Sequence, residues 1–124
     1  MRLYVVRLSV LDQSPVPEGS TPSEALRNSI ELAAHADELG YYRYWVAEHH
    51  GMHGLAGSSP EILIGHIAQS TKYIRVGSGG VMLSHYSPLK VAENFKKAPF
   101  IMFRLMALSI VVVNSVAQVI ALYA

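Results

Sequence analysis

The chain has 124 residues, of which 51% are hydrophobic and 15% charged, and a formal net charge of +1. That is enough apolar material for one domain with a core, which argues against global disorder. No cationic surplus exists to hold a nucleic-acid backbone, and the lack of cysteine excludes disulfides, thiolate catalysis and cysteine-based zinc sites, in keeping with a reducing cytoplasm.

The opening stretch "MRLYVVRLSVLDQSP" is split by Arg7 and ended by Asp12. Its apolar part is too short for a secretion signal and reads as a buried strand, "RLSVLDQ". "STPSEALRNSIELAAHADELG" follows as a helix. Thr21 is placed to cap it, Pro22 suits its first position and Glu24 completes a capping box. Leu26, Ile30, Ala33, Ala36 and Leu39 recur at helical spacing, and Gly40 is a natural stop. The second strand is "YRYWVAE", rich in aromatic and β-branched residues. A glycine-rich loop, "HHGMHGLAGSS", leads to a second helix with Ser59 as its cap and Pro60 as its first residue. Leu63, Ile64, Ile67 and Ala68 then face a core. The third strand is "YIRVGSGGVML"; after "SHYS", Pro88 opens a third helix, "PLKVAENFKK".

Strand starts near Leu8, Arg43 and Ile74 repeat at roughly thirty residues, the size of a βαβ unit. The pattern predicts an α/β fold with a parallel sheet and right-handed crossovers. A doubly wound open sheet and a (β/α)₈ barrel both satisfy it, and both gather ligands at the C-terminal strand ends. "AEHH", Asp12–Gln13 and "GSGGVMLSH" lie at such ends and are expected on one rim.

The loop at Glu48–His53 admits three readings. A metal site would use His49, His50 and His53, but Gly51, Gly54 and Gly57 oppose the helix that a His-x-x-x-His pair needs. A plain polar loop is the second reading. The third is catalysis, with a strand-end histidine as general base and Glu48 orienting it. "GSGG" lacks the spacing and strand-before-helix setting of a dinucleotide fingerprint. Glycine there permits a flat ligand to approach the backbone, or an unusual peptide geometry. Met82 is by default core filler. His35 and His66 fall within helices as surface or boundary residues, and His85, in a strand-end loop, reads first as a solvated residue, with a ligand role as the alternative.

Four blocks, "LSVLDQSPV", "HADELGYYRYWVAEHHGMHGLAGSSPEILIGHIA", "IRVGSGGVML" and "PLKVAENFK", occur in order with consistent gaps. Together, over about Leu8 to Lys96, they resemble the bacterial luciferase-like flavin-dependent monooxygenases. The resemblance implies a (β/α)₈ barrel that binds reduced FMN, supplied by a separate flavin reductase or by NAD(P)H, and reacts it with O₂ on a small organic substrate. It also implies a cytoplasmic homodimer. The family's "EHH" falls on Glu48, His49 and His50, and His49 corresponds to the histidine near the flavin ring that is implicated in catalysis. A small-residue pair, often joined by a non-proline cis peptide beneath the ring, falls on Gly79–Gly80. The resemblance thus makes His49 the base and places Glu48, His50, Gly79, Gly80 and Met82 around the cofactor, with no metal.

The resemblance stops near Lys97. A barrel of this kind takes about 250 residues, and only three βα units are present. All nine acidic residues lie at or before Glu93, and nine of the ten Lys and Arg at or before Lys97. The expected division is therefore residues 1–97 as the N-terminal part of a barrel and 98–124 as an unrelated, helical, hydrophobic tail. From Leu105 to Ala124 no charge occurs, a length that spans a bilayer, with Lys96, Lys97 and Arg104 as a cytoplasmic flank and Asn114 and Gln118 as interruptions. Membrane association through residues 105–124 is the rival reading. The abrupt change of composition reads better as translation in another frame. A fragment of this kind is expected to be inactive alone and to bind FMN weakly or not at all.

Overall fold

A computed structural model of the chain describes residues 6–97, 108–109 and 121–122. Three short strands, β1 (Ser9–Asp12), β2 (Arg43–Val46) and β3 (Arg75–Ser78), form one sheet in the order β1-β2-β3. Both pairings are parallel, with Ser9 opposite Arg43 and Arg43 opposite Arg75. Helix α1 (Pro22–Glu38) links β1 to β2, α2 (Pro60–Ser70) links β2 to β3, and α3 (Pro88–Lys97) follows β3. These are the three βα units expected from the sequence.

Strand alternation divides the sheet into two faces. Val10, Tyr44, Val46 and Val76 point toward the helices and join Ala33, Ala36, Leu63, Ile64 and Ile67 in the main core. The buried stripe of α1 is small, made of Ala25, Ser29, Ala33 and Ala36. Small residues let the helix lie close to the sheet and leave room for the fully buried Tyr44. Leu39, expected in that stripe, is 64% exposed. It is the C-cap residue of α1 and has left the helix's apolar face.

Helix punctuation accounts for the chain's turns. Thr21 and Glu24 form the expected capping box. At the other end Tyr41 N–H donates to the Ala36 carbonyl at 3.0 Å and Gly40 N–H to the Asp37 carbonyl at 3.1 Å, a Schellman pair closed by Gly40 at φ +77. Ser59 precedes α2 as expected, but its side chain makes no capping hydrogen bond. The Ser59 carbonyl serves there instead, accepting from the amides of Ile62 and Leu63. Asp37, on the last turn of α1, accepts the backbone amides of Lys72, Tyr73 and Ile74. One carboxylate therefore fixes the turn that launches β3.

The sheet's second face carries Leu11, which is 62% exposed and lines up with Trp45 and Gly77. At the N-terminal end of the strands, Arg7, Arg43 and Arg75 place their guanidinium carbons 4.5, 5.1 and 5.4 Å from the Tyr42 ring centroid. A cleft of about 340 Å³ opens beside them, lined in part by Arg7, Tyr42, Tyr73 and Arg75. It lies at the end of the sheet opposite the histidine cluster.

The tail was expected to be helical. Its described residues are extended instead: β4 (Leu108–Ser109) and β5 (Ala121–Leu122) pair antiparallel. The remainder of 98–124, including most of the candidate span, lies outside the described residues. Among the described residues no helix is long and apolar enough to cross a membrane.

Candidate functional site

The C-terminal ends of the three strands meet on one rim. Past the formal strand ends, Ala47 N–H donates to the Asp12 carbonyl at 2.8 Å and Gly79 N–H to the Val46 carbonyl at 2.7 Å. These bonds carry the ladder to the edge where Glu48 and His49 begin and hold Gly79 beside the residues that lead into His49.

Asp12 reaches this rim but turns toward the helices. It is 6% exposed, and its carboxylate accepts the Tyr44 hydroxyl at 2.9 Å and the Ser14 amide at 2.8 Å. Burial, then the charge and hydrogen bond of Asp12, push the Tyr44 phenol well above its ordinary range. Ser14, at φ 51, closes the same network with a 2.9 Å contact to Ser29 Oγ. The carboxylate is thus committed to the interior.

The glycine-rich loop after β2 is tied down along its length. It folds back antiparallel on residues 14–16: Val16 N–H meets the Gly54 carbonyl at 2.8 Å, and Ala56 N–H the Ser14 carbonyl at 2.9 Å. His49 N–H donates to the Gly57 carbonyl at 2.8 Å. Glycine is needed at position 57, where a Cβ would lie 3.0 Å from the Ala47 carbonyl oxygen.

The loop sorts its histidines. His49 is half-buried, and its Nε2 is buried with no hydrogen-bond partner in the protein. A buried polar atom left open in this way is costly and marks a place for a ligand or water. His50 sets its Nε2 2.6 Å from Glu48 Oε1. His53 is exposed on the loop. Among the described residues no three His, Cys, Asp or Glu side chains come together in a way that could hold a metal ion.

Strand β3 contributes the glycine pair. A Cβ on Gly79 would lie 2.9 Å from Leu11 Cδ1 and 3.6 Å from Trp45 Cβ, so this glycine abuts the sheet face that carries Leu11 and Trp45. No peptide bond among the described residues is cis. Gly79–Gly80 is therefore trans, where the resemblance implied the cis form. Ser78 Oγ bonds the Gly80 carbonyl and holds this trans turn. Met82 is 36% exposed and not core filler: the chain has left the sheet, and what Met82 contributes inward is its amide, donated to Glu48 Oε2 at 3.0 Å.

Tyr86 joins this group although the sequence did not point to it, and His85 reaches the rim where its strand-end position put it. Tyr86 donates its hydroxyl to Glu48 Oε1 at 2.8 Å, and the His85 ring lies 5.7 Å from that of His50. Burial, with the bond and charge of Glu48 and the charge of Glu61, pushes the Tyr86 phenol up to about 12. The only signal for Tyr86 was an aromatic hydroxyl in "SHYS" after a glycine-rich strand end.

A family model for luciferase-like monooxygenase matches residues 2–97. The chain belongs to the luciferase-like monooxygenases. It is 55% identical over 91 residues to the N-acetyl-S-alkylcysteine monooxygenase of Bacillus subtilis, covering 73% of this chain and 27% of that protein. It superposes on the solved structure of apo-MsnO8 with a TM-score of 0.83 and 54% identity, covering 92% of this chain and 35% of that one. The oxygenating constituent of 3,6-diketocamphane monooxygenase from Pseudomonas putida, solved in complex with FMN, shares the fold at a TM-score of 0.72 and 23% identity, over 77% of this chain and 26% of that one. The chain spans about a quarter of the length of the curated relatives it matches. Within the luciferase-like monooxygenases, this chain therefore supplies a rim of three strand ends that carries the open His49 Nε2 and the Gly79–Gly80 backbone.

Proposed function

We propose that this chain carries part of the flavin site of an FMN-dependent, luciferase-like monooxygenase that uses O₂ on a small organic substrate. One observation carries the reading: His49 Nε2 is buried and unpartnered on the same rim as the Gly79–Gly80 backbone. The FMN complex of the 3,6-diketocamphane enzyme, on the same fold, supports the choice of cofactor. Reduced flavin, once bound, supplies the electrons for O₂ chemistry. The chain's own residues bind and orient. Gly79 and Gly80 leave backbone accessible to a flat ring, with Leu11 beside it, and the rim loop limits water. His49 holds or moves a proton at Nε2, the atom left open for it. A flavin reductase or NAD(P)H as the source of reduction, a homodimer, a cytoplasmic setting and a boundary at residue 97 belong to the same proposal.

Arg7, Arg43 and Arg75 all stand at the opposite end of the sheet, so the flavin phosphate meets no arginine from these strands. Weak binding by the chain alone is expected. The test is a titration of ¹⁵N-labelled chain with FMN, oxidised and chemically reduced. The His49 imidazole and the Gly79 and Gly80 amides shift together, and His49→Ala weakens the apparent affinity about tenfold, the worth of one lost hydrogen bond. Stoichiometric flavin retained through purification would contradict the weak binding. No shift at these three residues up to about millimolar FMN would overturn the site.

A further inference from the structure

The Glu48 side chain is 1% exposed, so its charge is withdrawn from water. A buried carboxylate is tolerated where donors satisfy it, and Glu48 has three. Its Oε1 lies 2.6 Å from His50 Nε2 and 2.8 Å from the Tyr86 hydroxyl, and its Oε2 3.0 Å from the Met82 amide. The donors come from two segments far apart in the chain, the loop after β2 and the turn around Leu83–His85 that follows β3. Their chemistry fixes the direction of every bond. A backbone amide only donates, a carboxylate only accepts, so the tyrosine donates and His50 presents Nε2–H. In the neutral ring, His50 Nδ1 is then left as an acceptor.

We propose that Glu48 and Tyr86 are positioning residues: Glu48, steadied by Tyr86, holds the His50 ring with its proton on Nε2 and clamps the 82–86 turn against the end of β2, without itself touching the cofactor. With both carboxylate oxygens occupied, Glu48 has nothing left to offer a ligand. What it governs is the spacing of two walls, one bearing His49 and His50, the other Gly79, Gly80 and Met82. His85, beside His50, belongs to the second wall. The use of those walls rests on the flavin reading; the tie between them does not.

Glu48→Gln tests the tie because an amide offers one oxygen to three donors and must turn its own N–H toward one of them. Tyr86→Phe is the milder variant, removing one donor while keeping the ring. The full chain and both variants are compared by long-range ¹⁵N NMR of the histidine rings at about pH 8, above the ordinary imidazole value, and by hydrogen exchange of the Met82 amide. In the parent chain His50 carries its proton on Nε2. In Glu48→Gln the ring relaxes to a mixture of tautomers and Met82 exchanges about a hundredfold faster. In Tyr86→Phe the tautomer survives and Met82 exchanges about tenfold faster, the ratio set by one lost hydrogen bond. A parent His50 protonated on Nδ1, or Met82 exchange unmoved by Tyr86→Phe, would overturn the proposal even if Glu48→Gln fails to fold. FMN titration of Tyr86→Phe is expected to show a several-fold weaker shift at His49. If FMN fails to bind the parent chain, the functional reading falls while the tautomer and exchange results still decide the tie.

Discussion

A Cβ added to Gly57 would press on backbone, the Ala47 carbonyl oxygen at 3.0 Å. A Cβ on Gly79 would press on the end of a leucine, Leu11 Cδ1 at 2.9 Å, and Leu11 is 62% exposed and free to turn aside. The two substitutions should therefore part company. Gly57→Ala is expected to cost about 1–3 kcal/mol, because ladder backbone cannot shift cheaply. Gly79→Ala is expected to stay within about 1 kcal/mol of the parent while weakening the FMN-induced shift at His49. Urea unfolding of both variants checks the order, and a larger loss for Gly79→Ala would contradict it. At this scale the sequence made the strand-end placement of His49 and the glycine pair legible, because the ends of strands are marked by local signals; the roles of these residues came only with the family resemblance. The sequence did not reveal Tyr86, whose partner lies 38 residues away, nor that Asp12 would be claimed by Tyr44. Such pairings are decided by which strands become neighbours.

Helix ends show what can be read locally and what cannot. Thr21 and Ser59 stand at equivalent positions before a proline, and both were expected to cap. Thr21 does so through a closed pair of bonds with Glu24, whereas the Ser59 hydroxyl makes no such bond. The difference follows from backbone shape: Thr21 sits in extended geometry at φ -115, ψ 155, and Ser59 at φ -142, ψ 75, with Glu24 available only to the first. Thr21→Ala is expected to lower stability by about 1 kcal/mol, and Ser59→Ala by no more than about 0.3 kcal/mol. Thermal melts of the pair test this; equal losses would show that Ser59 caps in solution.

For the molecule as a whole, two phenols, Tyr44 buried and Tyr86 partly buried, set a limit at high pH. Burial and Glu48 push Tyr86 up to about 12, from an ordinary value of 10. Tyr44 is raised by its burial and by Asp12. The folded chain holds these protons more tightly than the unfolded chain, so their contribution is complete below about pH 10 and drains away as pH rises from there toward 12. Urea midpoints are expected to be flat across about pH 7 to 9 and to fall between about 10 and 12, with part of the fall absent in Tyr86→Phe. A midpoint that rises over that range would refute the assignment.

The order and sense of the strands have a kinetic corollary. Ser9 finds Arg43 and Arg43 finds Arg75, so each ladder of β1–β3 joins stretches about thirty residues apart. No hairpin can nucleate this sheet, and closing each loop of that size forfeits about 3 kcal/mol of chain entropy before the first interstrand bond rewards it. Local helix formation is therefore expected to precede strand pairing, with Ala33 and Ala36 of α1 as the surface on which Tyr44 and Val46 pack. The rim that gathers His49, Glu48 and the glycines needs both ladders closed before it exists.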